Sequence, residues 1–195
     1  MTDFVTALVI AFGVVFVAEL GDKTQLLALN FGARYSLRTV ALGLTIGYAV
    51  ANVVATVVGG ILGAALPDRP IQIVGGLIFL VFAIAALRPI DAEDDSEPGT
   101  ASVARQTTRG VVAAIAASIA VAEMGDKTQI ATATLASQSS PIGVWIGATL
   151  GAASSGMVGA AAGSLIGDRI PIRALQVASA LLFAAFGVAM LAGWF

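Results

Sequence analysis

From residue 4 to residue 31 the only charged side chains are those of Glu19, Asp22 and Lys23. Five more stretches, at 37–66, 71–87, 111–136, 142–166 and 174–195, are comparably apolar. A helix needs about 20 mostly apolar residues to cross a ~30 Å hydrocarbon core, and each stretch supplies roughly that many or more. The runs are too long, and too free of alternation, for the ~10-residue strands of a membrane barrel. The stretches are separated by breaker-rich segments: Gly32-Ala33-Arg34, Pro67-Asp68-Arg69-Pro70, Ser137-Gln138-Ser139-Ser140-Pro141 and Gly167-Asp168-Arg169-Ile170-Pro171. The expected fold is an all-α membrane protein of six transmembrane helices.

Composition excludes much else. Charged residues make up 11% of the chain, against about 25% in a soluble domain. With no Cys and no His, disulfide scaffolds, Ser-His-Asp or Cys-His catalysis and imidazole or thiolate metal sites are ruled out. A net charge of −2 without a basic stripe speaks against nucleic acid. Met1-Thr2-Asp3 carries no positive charge and no cleavage site follows, so the first run reads as a span and not as a signal peptide.

Orientation follows from Lys and Arg in the short loops. On a six-span reading, Arg34, Arg38, Arg88, Arg105, Arg109, Arg169 and Arg173 share one face, and Arg69 stands alone on the other. That places the linker in the cytoplasm and both termini outside. The linker, residues 88–109, holds Asp91, Glu93, Asp94, Asp95 and Glu97 beside Pro98-Gly99. An EF-hand loop counted from Asp91 would need Gly where Ser96 stands, so a solvated connector is expected.

The chain also repeats itself. Val17-Ala18-Glu19-Leu20-Gly21-Asp22-Lys23-Thr24-Gln25 returns as Val121-Ala122-Glu123-Met124-Gly125-Asp126-Lys127-Thr128-Gln129, with one difference in the nine positions and an offset of 104. The same offset relates Gly43 to Gly147, Thr45 to Thr149, Gly47 to Gly151, Gly59 to Gly163 and Gly63 to Gly167; near Asp68-Arg69 and Asp168-Arg169 it reads as 100. The organisation expected is a three-helix unit at 1–87, the linker at 88–109, and a second three-helix unit at 110–195, together one transmembrane domain. Because three is odd, the second copy enters from the opposite side. Inverted repeats of this kind carry substrate sites near the bilayer midplane. Small residues recur every fourth position at Gly43, Gly47, Ala51, Ala55, Gly59 and Gly63, and at Gly147, Gly151, Ser155, Gly159, Gly163 and Gly167. They suit close helix packing, or a sliding surface.

Glu19, Asp22, Glu123 and Asp126 are the carboxylates within the apolar spans, and they fall near mid-span. Intramembrane charges are costly and mark pathways. A straight helix from Asp3 to Arg34 would run to ~47 Å at 1.5 Å per residue, so it tilts, protrudes or breaks. Gly21 and Gly125 are the natural places for a break. Glu and Asp at i, i+3 are expected on one helical face. Two such pairs facing each other would put four carboxylates around one volume, which must then take up protons or a cation. Oxygen ligands suit Mn²⁺, Ca²⁺ or Mg²⁺. Thr24, Gln25, Thr128 and Gln129 could complete the shell. Lys23 and Lys127, each four residues after a Glu, would pair with it; structural ion pairing is the alternative reading of the whole motif. Asn52 is a possible ligand or an interhelical hydrogen-bonding residue. Because cation binding displaces protons from carboxylates, these residues could couple cation movement to a proton gradient.

The doubled E-x-G-D-K-T in two halves joined by an acidic linker resembles the small cation/proton exchangers that include Golgi manganese/calcium transporters and bacterial manganese exporters of the MneA type. The resemblance implies exchange of divalent cations, manganese first and calcium second, against protons by alternating access. It implies that Glu19, Asp22, Glu123 and Asp126 bind the ion, which is cargo; no prosthetic group is expected. Partners are the lipid bilayer, the ion and protons. The lack of the N-terminal targeting extension of organellar relatives points to a bacterial plasma membrane, where proton entry would drive export. Three alternatives stand beside this: a six-helix amino-acid or metabolite exporter, an intramembrane aspartyl protease using paired carboxylates, and an ion channel.

Overall fold

A computed structural model of the chain describes residues 4–20, 22–87, 107–165 and 172–194. The linker segment 88–106, the segment 166–171, Gly21 and the side chain of Lys23 lie outside the described residues, and with them what the sequence led us to expect there. Regular structure is all-helical: α1 Phe4–Glu19, α2 Lys23–Arg34, α3 Leu37–Ala65, α4 Asp68–Ala86, α5 Thr108–Glu123, α6 Lys127–Gln138, α7 Pro141–Leu165 and α8 Ile172–Ala192. Among the described residues, two helices are long and apolar enough to cross a membrane, Leu37–Ala65 and Pro141–Ala162, and α5 with α6 makes a third if taken as one span bent by 78°.

The helix boundaries follow local chemistry. Ser36 caps α3, its hydroxyl accepting from the Thr39 amide, and Thr107 caps α5 by accepting from Gly110 at 3.3 Å. Helix α7 opens on Pro141, whose missing N–H is no loss at a first helical position, and the Ser140 hydroxyl accepts from the Gly143 amide. The first and fourth apolar runs, read above as single spans, are each two helices.

Packing interleaves the halves. Helix α1 lies on α7 and α5 on α3; α2 lies on α7 and α6 on α3; α3 meets α7, and α4 meets α8. Exchanging the first four helices with the last four leaves these principal pairings unchanged. Small residues bring the backbones together. A methyl on Gly47 would stand 2.8 Å from the Ala116 carbonyl oxygen of α5, and one on Gly151 would stand 2.5 Å from that of Phe12 in α1. Both the glycines and the carbonyls are related by the 104-residue offset. In lipid, where association rests on close packing, this is how two helices gain contact.

Helices α4 and α8 pack through Phe79 and Phe183, ring centroids 5.9 Å apart, which are themselves offset by 104. Arg69, in the first turn of α4, donates to the Leu191 carbonyl in the last turn of α8 at 3.0 Å. Arg173, at the start of α8, donates to the Leu87 carbonyl just past α4 at 3.2 Å. Each guanidinium thus satisfies a carbonyl that its partner helix leaves unpaired at the C-terminus. The two helices are therefore antiparallel. Arg69 corresponds to Arg173, not to Arg169, so the offset of 100 read at Asp68-Arg69 is corrected to 104.

Candidate functional site

The two copies of the motif break their helices in the same way. Helix α1 ends on Glu19 and α5 on Glu123, while α2 and α6 restart at Lys23 and Lys127. The Asp22 amide bonds the Glu19 carbonyl at 3.3 Å and the Asp126 amide bonds that of Glu123 at 3.1 Å. Gly125 has φ +78°, a left-handed conformation that an L side chain rarely adopts. Asp126 is the N-cap residue of α6 but makes no cap bond with its side chain, which instead accepts from the Thr128 hydroxyl at 3.5 Å. The expectation of Glu and Asp on one helical face is corrected here. A turn separates them, because a continuous helix would leave the acids pointing along one rod and not around a centre.

Each glutamate is buried, Glu19 to 1% exposure and Glu123 to 3%, and each is held from the following helix. Thr24 donates to Glu19 Oε2 at 2.9 Å, and Thr128 to Glu123 Oε2 at 3.0 Å. The amides beside them reach into the other half. Gln25 Nε2 donates to the Ser155 carbonyl at 3.5 Å, and Gln129 Nε2 to the Ala51 carbonyl at 3.1 Å. Ala51 and Ser155 are again 104 apart. Gln129 also accepts from the Gly125 amide at 3.0 Å, tying the turn to the helix after it.

Three of the four acids converge. One oxygen from each of Glu19, Asp22 and Asp126 lies within 4.8 Å of the others, and among the described residues Glu123 is not in that group. Lys127 sits at its edge, Nζ 2.9 Å from Asp22 Oδ2. This corrects the expected pairing of Lys127 with Glu123, four residues back: the broken helix turns Lys127 toward the other half. A donor set of carboxylate oxygens is one that a hard divalent cation can take. Opposed oxygens around Ca²⁺ at 2.3–2.6 Å stand about 5 Å apart, so the spacing suits one ion.

Asn52 donates to Thr149 Oγ1 at 3.5 Å, an interhelical hydrogen bond. Two more residues lie near the motifs: Tyr48, not singled out from sequence, and Ser155, read there only as one of the small residues. Tyr48 is 1% exposed, and Ser155, fully buried, holds a hydroxyl with no hydrogen-bond partner among the described residues. The signal available for Tyr48 was a phenol next to Gly47 of the small-residue row of α3. A 430 Å³ apolar cavity lies elsewhere, between α3, α4 and α6; Gln129 lines it and the carboxylates do not.

The chain matches the family model described as "Divalent cation/proton antiporter GDT1" over residues 7–94 and 111–195. It is 31% identical to the GDT1-like protein sll0615 of Synechocystis sp., covering 94% of this chain and 95% of that protein. A Vibrio cholerae protein described as "Putative manganese exporter" is 32% identical over 91% of this chain and 86% of its own length. "Protein PAM71, chloroplastic" of Arabidopsis thaliana is 30% identical over 93% of this chain and 55% of its own length. No solved structure matches. With a family match spanning both halves and a relative aligned almost end to end, the chain belongs to the GDT1 family of divalent cation/proton antiporters.

Proposed function

We propose that the chain exports divalent cations, Mn²⁺ first and Ca²⁺ second, in exchange for protons, by exposing a carboxylate site between its two halves to alternate sides of the membrane. The family makes it a cation transporter and not an enzyme, which sets aside the protease, and leaves the metabolite exporter and the channel without support. The observation that carries the reading is the convergence of Glu19, Asp22 and Asp126 from two separate halves. Glu123, held by Thr128 as Glu19 is held by Thr24, completes the ligand set and can carry a proton when the ion has left.

The frame of this reading is six membrane spans in two inverted repeats, residues 1–87 and 110–195, with the linker cytoplasmic and both termini outside. The antiparallel pairing of α4 with α8 through Arg69 and Arg173 supports it, since equivalent helices of an inverted repeat must run oppositely. Thr24, Gln25, Thr128 and Gln129 hold the site together, Lys127 offsets its charge, and the motif's Lys23 is assigned the same role. In a bacterial plasma membrane, proton entry would drive the ion outward.

The test is flux into proteoliposomes under an imposed pH gradient. Mn²⁺ and Ca²⁺ should move against the proton flow and stop when the gradient is collapsed. Divalent flux indifferent to the gradient would remove the antiport, and flux of neither ion would remove the substrate assignment.

A further inference from the structure

The 430 Å³ cavity has walls from both halves, α3 and α4 of the first and α6 of the second. Along α3 its lining runs from Val54 to Leu66, about 18 Å at 1.5 Å per residue. That is close to the depth of one leaflet, half of a ~30 Å hydrocarbon core. Its inner end lies by Gln129, which bonds the Ala51 carbonyl; its outer end lies at Leu66 and Pro70, where α3 gives way to α4. Val54, Val58 and Val74 line the cavity and are also exposed, so it opens sideways. On α3, an apolar helix long enough to span, that side faces hydrocarbon.

Three of the lining residues are polar, and each is already engaged. Thr134 donates to the Ile130 carbonyl at 2.8 Å and Ser137 to the Thr134 carbonyl at 2.7 Å, while Gln129 bridges the Ala51 carbonyl and the Gly125 amide. Water needs about two to four polar partners and is poorly served there. An apolar void left empty forfeits the dispersion contacts of its walls. An apolar chain is the occupant that fits.

The outer end carries a charge. Arg69 lies between Leu66 and Pro70 in the sequence and is exposed. Its Nη1 donates to the Leu191 carbonyl and to Gln72 Oε1, and it forms no ion pair among the described residues. The rest of the guanidinium fork suits a phosphate.

We propose that this crevice binds one membrane phospholipid, with an acyl chain lying between α3, α4 and α6 and the phosphate on Arg69. The tail fills the gap between the halves and braces α6, whose Gln129 ties the Gly125 turn to α3. This holds whichever ion the carboxylates take.

The test is native mass spectrometry of the purified full-length protein in mild detergent, titrated with phosphatidylglycerol, together with thermal melts. Val58→Phe puts a ring into the slot from an exposed position, and Arg69→Gln removes the charge. Val81→Phe, at an exposed position of α4 outside the lining, is the control. Wild type and Val81→Phe should each retain one phospholipid and melt higher with it. Val58→Phe should retain none at the same concentration and lose that rise. Arg69→Gln should bind about tenfold more weakly, the scale of one lost charge-assisted contact. Should Val58→Phe not fold, Val74→Phe fills the slot from the α4 wall and is read in the same way. Retention by the filled variant as in wild type would overturn the site, and so would an equal loss in Val81→Phe, the mark of a general lipid coat. Wild-type binding by Arg69→Gln, or palmitate bound as tightly as phosphatidylglycerol, would overturn the assignment to a phospholipid.

Discussion

Lys127, the first residue of α6, holds Asp22 of the opposite half with Nζ 2.9 Å from Oδ2. The contact joins one copy of the motif to the other. It places a fixed positive charge beside the oxygens of Glu19, Asp22 and Asp126. On the proposed function, a divalent cation arriving there would compete with the ammonium for Asp22, and the pair would stabilise the ion-free site.

Replacing Lys127 by Gln should therefore lower the melting temperature in the absence of metal. The pair is partly buried, its side chains 26% and 15% exposed, so the loss should fall between the ~1 kcal/mol of a surface pair and the ~3–5 kcal/mol of a buried one. Saturating Mn²⁺ should restore more stability to the variant than it adds to wild type. Thermal melts with and without metal decide this; equal metal-induced shifts would contradict the competition.

Glu19→Gln and Glu123→Gln each keep the side chain's shape and leave the Thr24 and Thr128 contacts able to form. Both variants should fold and insert as wild type while proton-driven divalent flux falls at least about a hundredfold, the scale of losing a charged group worth ~3 kcal/mol to the bound ion. Either variant transporting at the wild-type rate would show that its carboxylate is not a ligand.

Gly47→Ala and Gly151→Ala should be destabilising to a similar degree. A methyl at each position meets a backbone carbonyl that cannot rotate away, and overpacking of this kind typically costs ~1–3 kcal/mol. Comparable losses in melting temperature are expected because the two sites are copies of one contact. A neutral effect at one position alone would mean the helices there are further apart than the structure has them.

Gly125 tests a different cost. Nothing lies within 4 Å of a Cβ built there, so Gly125→Ala suffers no clash, but its φ of +78° costs an L residue roughly 1–2 kcal/mol. Asn tolerates this conformation better. The order of melting temperatures should be Gly, then Asn, then Ala, and transport should follow it, since the turn aims both Glu123 and Asp126.

What could be read from the sequence was read from properties that do not depend on neighbours in space. Apolar runs interrupted only by Glu19, Asp22, Lys23 and their copies declare a helical membrane chain, and identity at a fixed offset declares the duplication. The length of the first run allowed tilt, protrusion or a break, and Gly21 and Gly125 marked where a break would fall. Other features are settled by which helix lies against which. Because α6 packs on α3 and α2 on α7, Gln129 reaches Ala51, Gln25 reaches Ser155 and Lys127 reaches Asp22. Helical spacing had assigned Lys127 to Glu123, and it did so because spacing assumes an unbroken helix. The pairing of Arg69 with Leu191 and Arg173 with Leu87, which fixes the running direction of α4 against α8, is likewise a contact between segments more than eighty residues apart. Residue chemistry decided what this chain could hold. The interleaving of its halves decided which oxygens meet, because a carboxylate's partners in lipid are chosen by packing and not by sequence distance.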